Sequence, residues 1–150
     1  MIKDKNNFTT DILSEILFQI ADVSYPNGSP WSKVQWETDL ELPHSFYFID
    51  EQADKVVGFL ACHLVVDEIE IMQVAVHPAQ QKQGIAQQLL EQLASFAREK
   101  AAASIFLEVR ESNQAAKKAY QKSGFEAIGV RKKYYHAPVE DAIIMLKKVR

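Results

Sequence analysis

The segment Ile69 to Val109 constrains this chain most, because its hydrophobic period switches from two to about 3.6 and back within one short stretch. Ile69, Ile71, Val74 and Val76 read as a strand, and His77-Pro78 ends it because proline cannot extend a central ladder. After the loop Ala79 to Gln83, the residues Ile85, Leu89, Leu90, Leu93, Phe96 and Ala97 recur at helical spacing as far as Lys100. Ser104 to Val109 reads as the next strand. Asn113 can cap a further helix carrying Ala116, Ala119 and Tyr120, with Gly124 where a left-handed C-terminal residue belongs. Phe125 to Val130 and Ala142 to Val149 close the chain as strands. This strand-helix-strand-helix-strand order predicts an α/β (α+β) fold.

The first half reads differently. Ile12, Leu13, Ile16, Leu17, Ile20 and Val23 form one apolar stripe behind Thr9 and Thr10, either of which can cap the helix. Tyr25 to Pro30 is turn chemistry, and Ser32 with Gln35 forms a capping box, flanked by Trp31 and Trp36, that opens a short helix ended by Pro43. Phe46 to Ile49 and Val56 to Val66 read as strands joined by a polar turn, Asp50 to Lys55, and Asp67-Glu68 turns the chain again. No repeat or low-complexity linker interrupts the 150 residues, of which 47% are hydrophobic, so one domain over residues 1–150 is expected.

Composition narrows the function. No run approaches the ~18 apolar residues of a membrane span, and the polar Thr9, Thr10 and Asp11 follow Met1 to Asn7 where a signal peptide would need an apolar core. A single cysteine, Cys62, excludes an intrachain disulfide and agrees with a cytoplasmic location. The net charge of -3 gives no broad attraction to nucleic acid, and Arg131 to Lys133 and Lys147 to Arg150 read as solvated strand ends. His44, His63, His77 and His136 lack metal-ligand spacing, so no metal is expected.

A loop that opens a helix at Gly84 presents free backbone N–H groups at the positive end of a helix dipole, an arrangement suited to phosphate. Gly84 lets a ligand approach the backbone, Ala86 keeps the first turn open, and Gln81 and Lys82 add donors. An ordinary glycine turn fits the same residues.

The whole segment Ile71 to Leu90 resembles the acetyl-CoA-binding motif of the GCN5-related N-acetyltransferases, Gln/Arg-x-x-Gly-x-Gly/Ala, filled here by Gln81, Gly84 and Ala86. Three more blocks resemble the RimI type of that family, which acetylates a ribosomal protein's N-terminal alanine. They are Ser29 to Ser32; Leu107 to Asn113 with Ala119-Tyr120 and Gly124-Phe125; and Tyr134-Tyr135 with Glu140 to Met145. The resemblance implies a mixed, mostly antiparallel twisted sheet of about seven strands with about four helices. It implies acetyl-CoA as cosubstrate, held by the N–H groups of Gln83, Gly84, Ile85, Ala86 and Gln87, with Gln81 and Lys82 beside them. It also implies that the edge of Val74, Ala75 and Val76 takes the pantetheine arm, that Asn113 ligates the same arm, and that the N–H near Val74 polarises the thioester carbonyl.

By the same resemblance Glu108 is the general base, acting through water, and Tyr120 the acid that returns a proton to the leaving sulfur. Read without it, Glu108 is an outward-facing carboxylate and Tyr120 a packing aromatic. Trp31, Ser32, Tyr134 and Tyr135 line the acceptor cleft or pack, and Glu140 and Asp141 can meet a cationic acceptor. An N-terminal α-amine is the easier nucleophile, since its reference pKa near 7.7 to 8.0 leaves roughly a tenth neutral at pH 7. The expected partners are acetyl-CoA and a protein or peptide N-terminus such as a ribosomal protein's. A small-molecule amine or another protein's N-terminus as acceptor, and a CoA-binding module without catalysis, are the competing readings. Between Tyr135 and Glu140 the connection is shorter than the RimI pattern, and it borders that cleft.

Overall fold

The computed structural model describes residues 1–150. Its elements are β1 (Ile2–Lys3), α1 (Thr10–Ser24), α2 (Lys33–Leu40), β2 (Ser45–Gln52), β3 (Lys55–Val65), β4 (Glu68–Val76), α3 (Ile85–Glu99), β5 (Ser104–Arg110), α4 (Gln114–Lys122), β6 (Glu126–His136) and β7 (Val139–Lys148), with single 3-10 turns at Lys5–Asn7 and Pro78–Gln80. The strands form one seven-stranded sheet in the order β1-β2-β3-β4-β5-β7-β6, antiparallel except for the parallel pair β4-β5. The mixed, mostly antiparallel sheet and the four α-helices are as expected.

Both faces of the sheet are covered. Leu13, Leu17, Ile20 and Ala21 of α1 and Trp36 and Leu40 of α2 pack on Tyr47, Ile49, Phe59, Ala61 and Ala75. Ile85, Leu89, Leu90, Leu93 and Ala97 of α3 pack on Leu60, Cys62, Ile69, Ile71, Ile105 and Leu107 from the other side. Burial on two faces explains why Val57 to Cys62 is a continuous apolar run instead of an alternating one. No helix is long and apolar enough to cross a membrane.

Several boundaries differ from expectation. The β2-β3 turn is only Ala53 and Asp54, both left-handed, because the hairpin closes in two residues where composition suggested six. The next turn is Val66-Asp67, and Glu68 already belongs to β4. β6 runs on to His136, so Tyr134 and Tyr135 stand on a strand that leans on β7, and only Ala137 and Pro138 join the two. Residues Ile2–Lys3 add a strand to β2 that no periodicity announced. Thr9 caps α1 by position without a side-chain bond.

A fork in the sheet positions the site. The last pair between β4 and β5 is Ile71 with Leu107, although β4 continues to Val76 and β5 to Arg110. On its other side β4 pairs Cys62 with Ile71 and Ala61 with Gln73, so Met72 is an extra residue, a bulge. A bulge bends and twists its strand. Here it lies where the neighbouring strands part.

Candidate active site

Past the fork, β4 runs on to Val76 without a partner on its β5 side, and α3 opens at Ile85 soon after. Gly84 takes a left-handed φ of 80° and caps α3 without any side-chain bond, and no group accepts from the N–H of Gln83, Gly84, Ile85, Ala86 or Gln87. The first N–H groups of a helix are orphans that need a ligand or water. A Cβ built on Gly84 would meet nothing within 4 Å, so the space above this cradle is open. Lys82 is also left-handed, at φ 65°. Gly58 lies below, where a Cβ would meet Ala75 O at 3.1 Å and Ile85 Cγ2 at 3.2 Å, and this close approach seats the start of α3 on β4.

Side chains meet the β4 edge in ways the sequence did not announce. The Tyr25 hydroxyl donates to Val74 O at 3.0 Å and accepts from Val74 N–H at 3.3 Å, so the N–H expected to face a thioester carbonyl already has an internal partner. Ser24 Oγ and Gln81 Nε2 donate to Val76 O at 3.0 and 3.1 Å. Gln81 thus ties its loop back to the strand, a correction to its reading as a free donor. Gln87 bonds Ala119 O and Ser123 Oγ, joining α3 to α4. Asn113 caps α4 through the N–H of Ala116, as expected.

Glu108 stands one residue past the fork on β5. Its Oε1 lies 3.4 Å from Arg131 Nε, while Oε2 is buried with no partner. Beside it, the half-buried Glu70 has its carboxyl pKa raised, first by burial and then by the charge of Glu108. Tyr120, packed edge-on against Phe125 at 5.7 Å, is held protonated above the ordinary phenol range by burial and by Tyr135, and no protein group bonds its hydroxyl. Burial likewise raises Tyr25, with Tyr120 and Tyr135 adding to the effect. Tyr135 is pushed up to about 12 by burial and by Glu108, and Arg110 lies 4.2 Å over its ring. Tyr134 is raised first by the Glu108 charge. A carboxylate with one free oxygen can accept a proton, and the phenols of Tyr25, Tyr120, Tyr134 and Tyr135, which keep theirs, can donate one.

The remaining candidates divide. Trp31 stacks edge-on against Trp36 at 4.6 Å at the rim of the α1-α2 core, and Ser32 closes the capping box with Gln35. The Ser112 N–H and Arg110 bond Glu140, and the Lys133 N–H and Lys132 bond Asp141, so both carboxyls sit below their usual range; Glu140 ties β7 to the end of β5 and Asp141 ties β7 to β6. Each carboxylate therefore already has a cationic and an N–H partner within the chain. No group of three or more His, Cys, Asp and Glu is arranged to hold a metal. The residues that sequence reasoning missed are Tyr25, Gln73, Glu70 and Arg131. One signal was present: the apolar positions Ile69, Ile71, Val74 and Val76 slip phase by one between Ile71 and Val74, which is the bulge.

The comparisons agree with this architecture. Residues 11–125 match the model of the acetyltransferase (GNAT) family. A [ribosomal protein bS18]-alanine N-acetyltransferase of Haemophilus ducreyi is 36% identical over 119 residues, covering 77% of this chain and 81% of that protein. The crystal structure of the ribosomal-protein-S18-alanine N-acetyltransferase from Escherichia coli superposes with a TM-score of 0.86 at 30% identity, over 99% of this chain and 94% of that one. An aminoglycoside 6'-N-acetyltransferase solved with coenzyme A shares the fold, with a TM-score of 0.81 at 15% identity over 100% of this chain and 97% of that one. With a family match over most of its length and relatives of this identity and coverage, this chain belongs to the acetyltransferase (GNAT) family and is an N-acetyltransferase.

Proposed function

We propose that the chain moves the acetyl group of acetyl-CoA to the N-terminal α-amine of a protein, with the alanine N-terminus of ribosomal protein bS18 as the acceptor its relatives' names suggest. The observation that carries this reading is the buried, unpartnered Glu108 oxygen at the fork, taken together with the unbonded Tyr120 hydroxyl. The chain's residues fit the cosubstrate: the unpaired N–H groups from Gln83 to Gln87 and the open space over Gly84 suit a diphosphate. Acetyl-CoA supplies an electrophilic thioester carbonyl and a thiolate leaving group. The edge of Val74, Ala75 and Val76 takes its arm, displacing the Tyr25 hydroxyl from Val74, and Asn113, which caps α4, ligates the same arm. Glu108 Oε2 takes the proton of the incoming amine through water, and Tyr120 gives one to the sulfur. Trp31, Tyr134 and Tyr135 shape the acceptor entry. Ser32, whose oxygen serves the capping box, has only its own O–H left to offer.

Mass spectrometry of alanine-starting peptides after reaction with acetyl-CoA tests this directly. An acetylated α-amine is expected, with a rate that climbs as pH rises toward 8 because the neutral amine becomes the major form. Activity confined to polyamines or aminoglycosides would overturn the peptide assignment.

Tyr25 provides a second test. Its hydroxyl pairs with Val74 on the edge assigned to the arm, so Tyr25→Phe should cost the free enzyme about 1 kcal/mol, while the acetyl-CoA complex, which replaces those bonds, should lose less. The acetyl-CoA-induced rise in Tm should therefore be larger in the variant than in the parent. A smaller rise would mean that the hydroxyl serves the complex and not the free enzyme.

A further inference from the structure

Gln73 is the buried side chain at the fork that neither the fold nor the acetyl-transfer chemistry accounts for. It is only 4% exposed, and neither its Nε2 nor its Oε1 has a partner. These two atoms and Glu108 Oε2 are the three buried, unpartnered side-chain polar atoms in the chain. Leaving such a group unpaired costs about 1–3 kcal/mol, and an apolar side chain in the same space would remove that cost. Opposite Gln73 on β3 is Ala61, whose methyl group offers no hydrogen bond.

Its place in the fold connects it to the acceptor. Gln73 stands two residues past the last β4-β5 pair, and Glu108 stands one residue past it on the other strand. They share a face of the sheet. Ile105, Leu107 and Val109 belong to the α3-side core, which turns Glu108 to the opposite face, and Gln73 pairs with Ala61 of the α1-side core. The Met72 bulge produces this alignment, because without the extra residue Gln73 would fall in phase with Ile69 and Ile71 on the α3 side.

A primary carboxamide carries a donor and an acceptor side by side, the complement of the N–H and C=O that one residue of an extended backbone presents on the same side, and no charge. We infer that Gln73 pairs with the second residue of the acceptor, Oε1 taking its N–H and Nε2 donating to its carbonyl, so that the α-amine of the residue before it meets Glu108. This rests on the peptide reading above and sharpens it: the enzyme recognises a peptide by its backbone next to the amine, and a simple amine forfeits that contact.

The test is a chemical cycle on the full chain. Gln73→Met keeps length and removes the amide; Gln73→Leu is the second variant should the first pack poorly. Each is assayed with an alanine-starting peptide and with the same peptide carrying an ester in place of its first amide, which lacks the N–H. The variants should unfold at the same temperature as the parent or higher, bind acetyl-CoA as tightly, and show a KM for the peptide raised roughly tenfold or more. For the parent the ester should be worse than the peptide; for the variants the two should be alike. A variant that still discriminates amide from ester, or whose acetyl-CoA affinity falls instead, overturns the inference, the latter by assigning the amide to the pantetheine arm. A fall in Tm with unchanged kinetics shows a structural role and also overturns it. If the parent acetylates no peptide at all, the functional reading fails first and this inference fails with it.

Discussion

Glu108→Gln is expected to lower kcat by about 10²–10⁴, the usual contribution of a positioned general base, and to leave acetyl-CoA affinity unchanged. The substitution keeps the shape of the side chain and removes only its charge. Arg131, the ion-pair partner, is 56% exposed and can return to water, so the fold should survive. A readout independent of turnover exists, because the Glu108 charge is the largest cause of the raised Tyr134 pKa. In the variant Tyr134 should ionise at lower pH than in the parent, as ultraviolet difference titration would record. Tyr120→Phe should also slow the reaction while preserving binding. Unchanged turnover in both variants would remove the acid and base assignments together.

Gly84→Val should weaken acetyl-CoA binding roughly tenfold or more, the equivalent of losing one or more hydrogen bonds to a charged diphosphate. Two effects combine. At a φ of 80° a β-branched residue costs about 1–2 kcal/mol of backbone strain, which at this chain length lowers Tm by a few degrees. The valine side chain would also stand in the open space above the unpaired N–H groups, where nothing in the protein lies within 4 Å of the new Cβ. Because no internal clash is created, a loss of affinity measured by calorimetry on folded protein reports the ligand's need for that space. A folded variant with the parent's affinity would contradict the diphosphate site.

The helices α1 and α3 were legible from sequence because their buried residues repeat at helical spacing, so each announces its own apolar face. The capping box at Ser32, the Asn113 cap and the left-handed Gly124 were legible for a similar reason, each being a bond or torsion among residues at most a few apart. Strand ends were less so. The β2-β3 hairpin turned in two residues where six looked polar, since strand-edge polar residues and turn residues share a composition. β6 hid its length because it is an exposed edge strand with no apolar alternation to read.

For the site, the sequence by itself pointed to the loop, the helix start and, through resemblance, Glu108, Tyr120 and Asn113 as candidates. Tertiary structure alone decided what surrounds them. Tyr25 reaches Val74 across 49 positions of sequence, and Arg131 reaches Glu108 from a strand whose extent was underestimated. The carboxylates of Glu140 and Asp141, free on paper, bond the end of β5 and β6 respectively. Above all, the fork arises because one extra residue in β4 sits where β5 ceases to pair, and that single slip also turns the unpartnered amide of Gln73 onto the face of Glu108. Periodicity encodes which way a residue faces within its own element. Where two strands separate depends on bulge, twist and packing summed over the whole sheet, and no local stretch of sequence carries that sum.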